Sequence, residues 1–119
     1  MGDFSFIEEP NLSFFSIPRI IYSNVNTDKL SILSNNKGLA GIYLFTHLES
    51  GKKYVGSAID LYKQLRQYYS ISRLSRNKNQ YFSNALLAYG YSAYSLSILE
   101  YLDISNLSKE EARLLIISR

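Results

Sequence analysis

The chain has 119 residues and a mass of 13.7 kDa, room for one domain and little else. Hydrophobic residues at 46% and charged residues at 19% exclude wholesale disorder. The lack of cysteine removes disulfides, thiolate zinc sites and a Cys nucleophile; a single histidine, His47, removes His-rich metal sites and mechanisms needing two imidazoles. No run approaches the roughly 18 apolar residues of a membrane-spanning helix, so no membrane partner is expected. Hydrolysis by a His-paired nucleophile is disfavoured, and work on nucleic acid stays open.

Charge is unevenly placed along a chain whose net charge is only +3. Residues 1–50 carry three basic and five acidic side chains, a net of −2. Residues 51–80 carry Lys52, Lys53, Lys63, Arg66, Arg73, Arg76 and Lys78 against Asp60 alone, a net of +6. Residues 81–119 return to −1, with three basic and four acidic groups. A basic block inside a near-neutral domain is the footprint expected of a polyanion partner. Tyr62, Tyr68, Tyr69 and Tyr81 interleave it, either to stack on bases or to fill a core. Eleven Tyr, no Trp and heavy use of Ile, Asn, Ser and Lys fit a gene of low G+C content, such as an organellar one. The acidic start, Met1 to Glu9, has neither an Arg-rich import pattern nor a secretory one.

In chain order, residues 1–37 read as an irregular, apolar N-terminal extension. They hold Pro10 and Pro18 and no sustained period, yet Phe14, Phe15, Ile17, Ile20, Ile21 and Tyr22 are too apolar for a free tail. The extension is expected to wrap the domain or to dock on a protein partner. A domain spans 38–119. Gly41–His47 is a strand, 48–51 a turn, and Lys52–Gly56 the return strand of a hairpin. With an even loop, Tyr43 and Tyr54 share one face, and His47 shares the parity of Tyr43 as an exposed strand histidine.

Asp60 caps a helix that buries Leu61, Leu65, Tyr68 and Tyr69 and turns Lys63, Arg66 and Gln67 outward. A basic linker follows over 70–80. Tyr81–Tyr89 forms a second helix, burying Phe82, Ala85, Leu86 and Tyr89, and Gly90 stops it. Tyr94–Tyr101 alternates as a third strand. Ser108-Lys109-Glu110-Glu111 is a capping box opening a last helix with Ala112, Leu115 and Ile116 inward. The expected fold is α+β: a small three-stranded sheet, hairpin plus third strand, flanked by helices.

Two tripeptides, Gly41-Ile42-Tyr43 and Tyr54-Val55-Gly56, stand eleven residues apart on the paired strands, followed by a basic helix. With residues 84–92, 97–101 and 105–113, they make the chain resemble the GIY-YIG nuclease family, particularly the intron-encoded homing endonucleases of fungal mitochondria. The resemblance implies Mg²⁺-dependent cleavage of a DNA phosphodiester and a mitochondrial, organelle-encoded setting. It places Tyr43 and Tyr54 as the paired active-site tyrosines, one activating water and one holding phosphate. Gly41, Ile42, Val55 and Gly56 are then the structural part of the motif.

Two departures from the family pattern bear on activity. The family's arginine stands eight residues after the second motif's glycine, which here is Gln64. An amide cannot offset the charge that develops on the phosphate, a loss on the order of several kcal/mol in the transition state. Arg66 lies about 200° further around the helix and cannot replace it. The family's metal-binding glutamate is expected just after Ser118-Arg119, so the last helix reads as truncated. Glu110 and Glu111 are weak substitutes, better suited to a helix N-terminus.

Two readings follow. One is a domain of nuclease ancestry, degenerate or inactive, binding DNA or RNA through Lys53, Lys63, Arg66, Arg73, Arg76 and Lys78, with Mg²⁺ as cofactor only if it cleaves and no metal ligands assigned. The other is a non-catalytic subunit of a ribonucleoprotein such as a mitochondrial ribosome. Five phosphate contacts would set the slope of log K against log salt at roughly −3 to −5.

Overall fold

A computed structural model describes residues 7–8, 18–76, 80–104, 108, 110–111 and 114. Its frame is the hairpin of β3 (Ala40–His47) and β4 (Lys53–Ala58). β-Favouring residues alternate along β3, and Gly51 takes the positive φ of 77° that the connecting turn requires. β5 (Tyr94–Leu102) pairs antiparallel with the other side of β3. β1 (Ile7–Glu8) joins the edge at β4, and β2 (Ile20–Tyr22) joins the edge at β5. The strand order is β1-β4-β3-β5-β2. The sheet therefore exceeds the three strands expected, with four strands of three residues or more and the two-residue β1 beside them.

The added strands come from the N-terminal segment, which is regular where it is described. Beyond β2, Asn24 Oδ1 accepts from the Asn26 and Thr27 amides at 2.9 and 3.1 Å, turning the chain into α1 (Lys29–Asn35). Tyr22, Val25 and Ile32 are buried in the main core. Asn36, fully buried, holds this segment to β5. Its Nδ2 donates to the Ile32 carbonyl at 2.7 Å, and its Oδ1 accepts from the Tyr101 hydroxyl at 2.7 Å. A short-range aromatic and polar reading of residues 20–36 gave no period because the pieces are only three and seven residues long.

One face of the sheet carries the main core under three helices. In α2 (Leu61–Tyr68) Asp60 Oδ1 accepts from the Lys63 amide at 3.1 Å, the cap expected of it, and Leu61, Leu65 and Tyr68 are buried. The expected linker over 70–80 instead contains α3 (Ile71–Arg76), anchored by buried Leu74. Ser70 opens it, its hydroxyl accepting from the Arg73 amide at 3.4 Å. α4 (Tyr81–Tyr89) has the predicted bounds and ends at Gly90, φ 82°. Phe82 and Leu86 point inward, but Tyr89 is 62% exposed, because the last turn of α4 overhangs the end of β3 and its ring rests on His47 there. A 3₁₀ turn (Tyr91–Ala93) leads into β5.

On the opposite face Ile42, Leu44 and Leu99 are buried together, with Val55 packed against them. The capping box is present: the Ser108 amide donates to Glu111 Oε1 at 2.9 Å, and the Glu111 amide donates to Ser108 Oγ at 3.1 Å. The inward residues expected of the last helix, Ala112, Leu115 and Ile116, lie outside the described residues. No helix among the described residues is long and apolar enough to cross a membrane.

Candidate functional site

The hairpin register decides which motif residues meet. Tyr43 pairs with Gly56, Leu44 with Val55 and Phe45 with Tyr54. Tyr54 and Gly56 therefore share the helix-covered face with Tyr43 and Phe45, and the two motif tyrosines stand on one diagonal of it. The four-residue turn, 48–51, supplies the even parity.

Each motif glycine is small for a reason visible here. A Cβ on Gly56 would overlap Cζ and Oη of Tyr43 and stand 2.8 Å from its Cε1, so the phenol crosses the partner strand only because that residue is glycine. A Cβ on Gly41 would run into the Glu100 carbonyl oxygen and lie 3.2 Å from Leu61 Cδ1, where β3 and β5 close up beside an irregularity at Ile42/Tyr43. Ile42 and Val55 serve the opposite face of the sheet.

Tyr43 is fully buried, and its Oη lies 2.8 Å from the Oη of Tyr68 on α2. Gln64 Nε2, one helical turn earlier, donates to the same Tyr68 Oη at 3.3 Å. Gln64 is thus brought to the tyrosine pair, the place the family arginine would occupy, but as a buried neutral amide. Phe82 closes the face from α4, its ring centroid 4.4 Å from Phe45, 5.0 Å from Tyr54 and 5.2 Å from Tyr68. Sequence reasoning passed over Tyr68 and Phe82 as site residues. The i, i+4 spacing of Gln64 and Tyr68 on a capped helix was the available signal. Phe82 had none, being non-local.

His47 corrects the expectation of an exposed histidine. It is only 6% exposed, packed between Tyr89 and Tyr94 at ring distances of 4.6 and 5.2 Å. Its Nδ1 receives the Ser50 amide at 3.3 Å and bonds the Ser50 hydroxyl at 2.7 Å. With Nδ1 an acceptor, the neutral ring carries its proton on Nε2.

The basic residues divide. Lys63 and Arg66 are exposed on α2, and Arg73 and Arg76 on α3. The Arg66 guanidinium and the Lys37 ammonium each stand 5.3 Å from the ring of Tyr62. Lys53 pairs with Thr46 and so lies on the sheet face opposite the tyrosines, its Nζ donating to the Gly51 carbonyl. Lys78 lies outside the described residues. Of the interleaved tyrosines, Tyr68 is core and Tyr81 is 77% exposed. Tyr69 donates to the Val25 carbonyl at 2.7 Å, and burial pushes its pKa well above the ordinary phenol value.

Compared with known families, residues 39–112 match the model of the GIY-YIG catalytic domain. A fold with both tripeptides on a central antiparallel pair, and a match over more than half its length, make the chain a member of the GIY-YIG family. Compared with curated proteins and with solved structures, it has no match.

GIY-YIG nucleases use a divalent metal, which hard carboxylate oxygens would hold. Among the described residues no three His, Asp or Glu side chains come together. Glu111, one of the two carboxylates considered for the role, has its Oε1 committed to the Ser108 amide, which with the Ser108 hydroxyl holds its pKa below the usual carboxylate value. The described residues do not fit a metal centre, and no chemical step is derived through one.

Proposed function

We propose that this chain is a nucleic-acid-binding GIY-YIG domain of nuclease ancestry that does not itself cut the phosphodiester. One observation carries the reading: Gln64, Tyr68 and Tyr43 form a buried, neutral hydrogen-bonded chain where the reaction calls for a cation beside an accessible phenol. A phosphate cannot reach the Tyr43 oxygen without displacing Tyr68 or Phe82, and Gln64 supplies no charge to stabilise a phosphorane-like transition state. Binding is supported by Lys63, Arg66, Arg73 and Arg76, exposed on two successive helices, whose contribution would be phosphate contact sensitive to salt. Residues 84–92, 97–101 and 105–113 support descent from a homing-type enzyme, and the codon-linked composition supports a mitochondrial setting.

The test is paired. Binding of labelled duplex DNA and RNA is measured at several salt concentrations, and nicking of supercoiled plasmid is followed with Mg²⁺ at high protein concentration. Salt-sensitive binding without nicking is expected. Nicking that disappears in Tyr43→Phe would overturn the loss of catalysis, and a flat salt dependence would overturn binding through the basic residues. The ribonucleoprotein reading makes a different demand: the native protein should sediment with a large particle that RNase disperses.

A further inference from the structure

Beside the tyrosine face, the β3–β4 turn and the end of α4 enclose a cleft of about 350 Å³. His47, Ser50, Gly51, Lys52, Tyr54 and Tyr89 line it. It is at the small end of the range for ligand clefts. Its chemistry is mixed in an informative way. Tyr89 offers an aromatic ring 62% exposed, although nothing in a solvated helix end requires one. Glu49 shares the lining with Lys52, so the cleft is close to neutral and does not select a phosphate. Behind it stands Tyr94, fully buried, its ring against His47 at 5.2 Å and Tyr54 at 6.4 Å. The Tyr94 hydroxyl is the one buried side-chain polar atom among the described residues with no hydrogen-bond partner. A buried hydroxyl without a partner costs free energy and is rare unless something outside the chain meets it.

A planar, uncharged heterocycle with hydrogen-bonding edges fits these features: one face for Tyr89, and polar atoms for the buried end. Building on the nucleic-acid reading above, we propose that this cleft seats the base of one unpaired nucleotide of a bound strand, stacked on Tyr89 with its polar edge toward Tyr94 and His47. A base inside a duplex is already stacked and paired, and it cannot enter. The sugar and phosphate remain outside, where the neutral lining does not oppose them. The domain is thereby a reader of single-stranded or looped nucleic acid rather than of plain duplex.

The experiment uses the full chain with short single strands of each base, blunt duplex, and nucleoside 5′-monophosphates as probes. NMR follows the His47 ring and the Ser50 and Gly51 amides, and fluorescence anisotropy gives affinities. Single strands should move all three sets of resonances. Tyr89→Ala should weaken strand binding about tenfold, the order expected for losing one stacked base, while leaving duplex affinity unchanged. Tyr94→Phe, which keeps the ring and should fold as well as the parent, should weaken strands and not duplex. If strands bind parent and Tyr89→Ala alike and His47 does not move, the cleft proposal is overturned while nucleic-acid binding stands. If monophosphates move His47 and strands do not, the occupant is a free nucleotide and the strand assignment is overturned. If neither strand nor duplex binds at all, the functional reading fails together with it.

Discussion

Gly56 lies across from Tyr43 on the hairpin, and the phenol occupies the volume where any other residue would place its Cβ. That single overlap couples the second motif to the first: one motif's glycine is the seat of the other motif's tyrosine. Gly56→Ala should therefore destabilise the domain by about 1–3 kcal/mol, the usual cost of overpacking a filled core. Urea unfolding measures it. An unchanged midpoint would mean that the ring turns aside at no cost, and the coupling of the motifs would have to be abandoned. The backbone of Gly56 has no need of positive φ, so the effect is steric and separable from a turn effect such as that at Gly51. At the same scale, Gln64 is the departure with the largest chemical consequence. Its position was legible by counting from Gly56, whereas its partner, the Tyr68 hydroxyl shared with Tyr43, required the fold.

At the scale of elements, α2 and α3 carry the exposed cations in two different settings. On α2, Arg66 is partly occupied with the ring of Tyr62. On α3, Leu74 anchors the helix while Arg73 and Arg76 face solvent. The double variant Arg73→Ala/Arg76→Ala should leave the helix in place, because its buried residue is untouched. If both arginines contact phosphate, the slope of log K against log salt should shrink by roughly 1.5 to 2, with affinity falling alike for all duplex sequences. A slope identical to that of the parent would remove α3 from the interface. This helix shows why the segment was first taken as a linker. Six residues with two apolar positions are too short to display a helical period, and it is packing on α4 and α2 that selects the helix.

Across the whole molecule, tyrosine hydroxyls tie segments that are distant in sequence. Tyr69 reaches the Val25 carbonyl, Tyr91 the Tyr68 carbonyl and Tyr101 the Asn36 side chain, each at 2.7 Å. Burial raises the pKa of Tyr69, Tyr91, Tyr94 and Tyr101 above the ordinary phenol value, with neighbouring phenols adding to it for Tyr69, Tyr94 and Tyr101. For such a group the folded state holds the proton more tightly than the unfolded one. The stabilisation is complete below about pH 10 and is lost as pH rises through the folded value. Absorbance titration of the phenolates should show some tyrosines ionising near pH 10 and a later, cooperative step that coincides with loss of circular dichroism. A single smooth transition near pH 10 with the fold intact would contradict the burial of these four groups.

What the sequence determined by itself is local and periodic. The hairpin with its even turn, the Asp60 cap, the bounds of α4 and the Ser108–Glu111 box all rest on residues within a few positions of one another, where propensity and side-chain-to-backbone bonds act directly. The two tripeptides and their spacing belong to the same class, and they sufficed to indicate the family. Tertiary structure alone decided the rest. It set β1 and β2 on opposite edges of the sheet, buried His47 and exposed Tyr89, laid Phe82 over the tyrosine face, and left the Tyr94 hydroxyl unpartnered beside a cleft. Each of these depends on which surfaces meet after the chain has closed loops of tens of residues. The sequence shows that a side chain is apolar or can hydrogen-bond, but only the packed molecule assigns its neighbour.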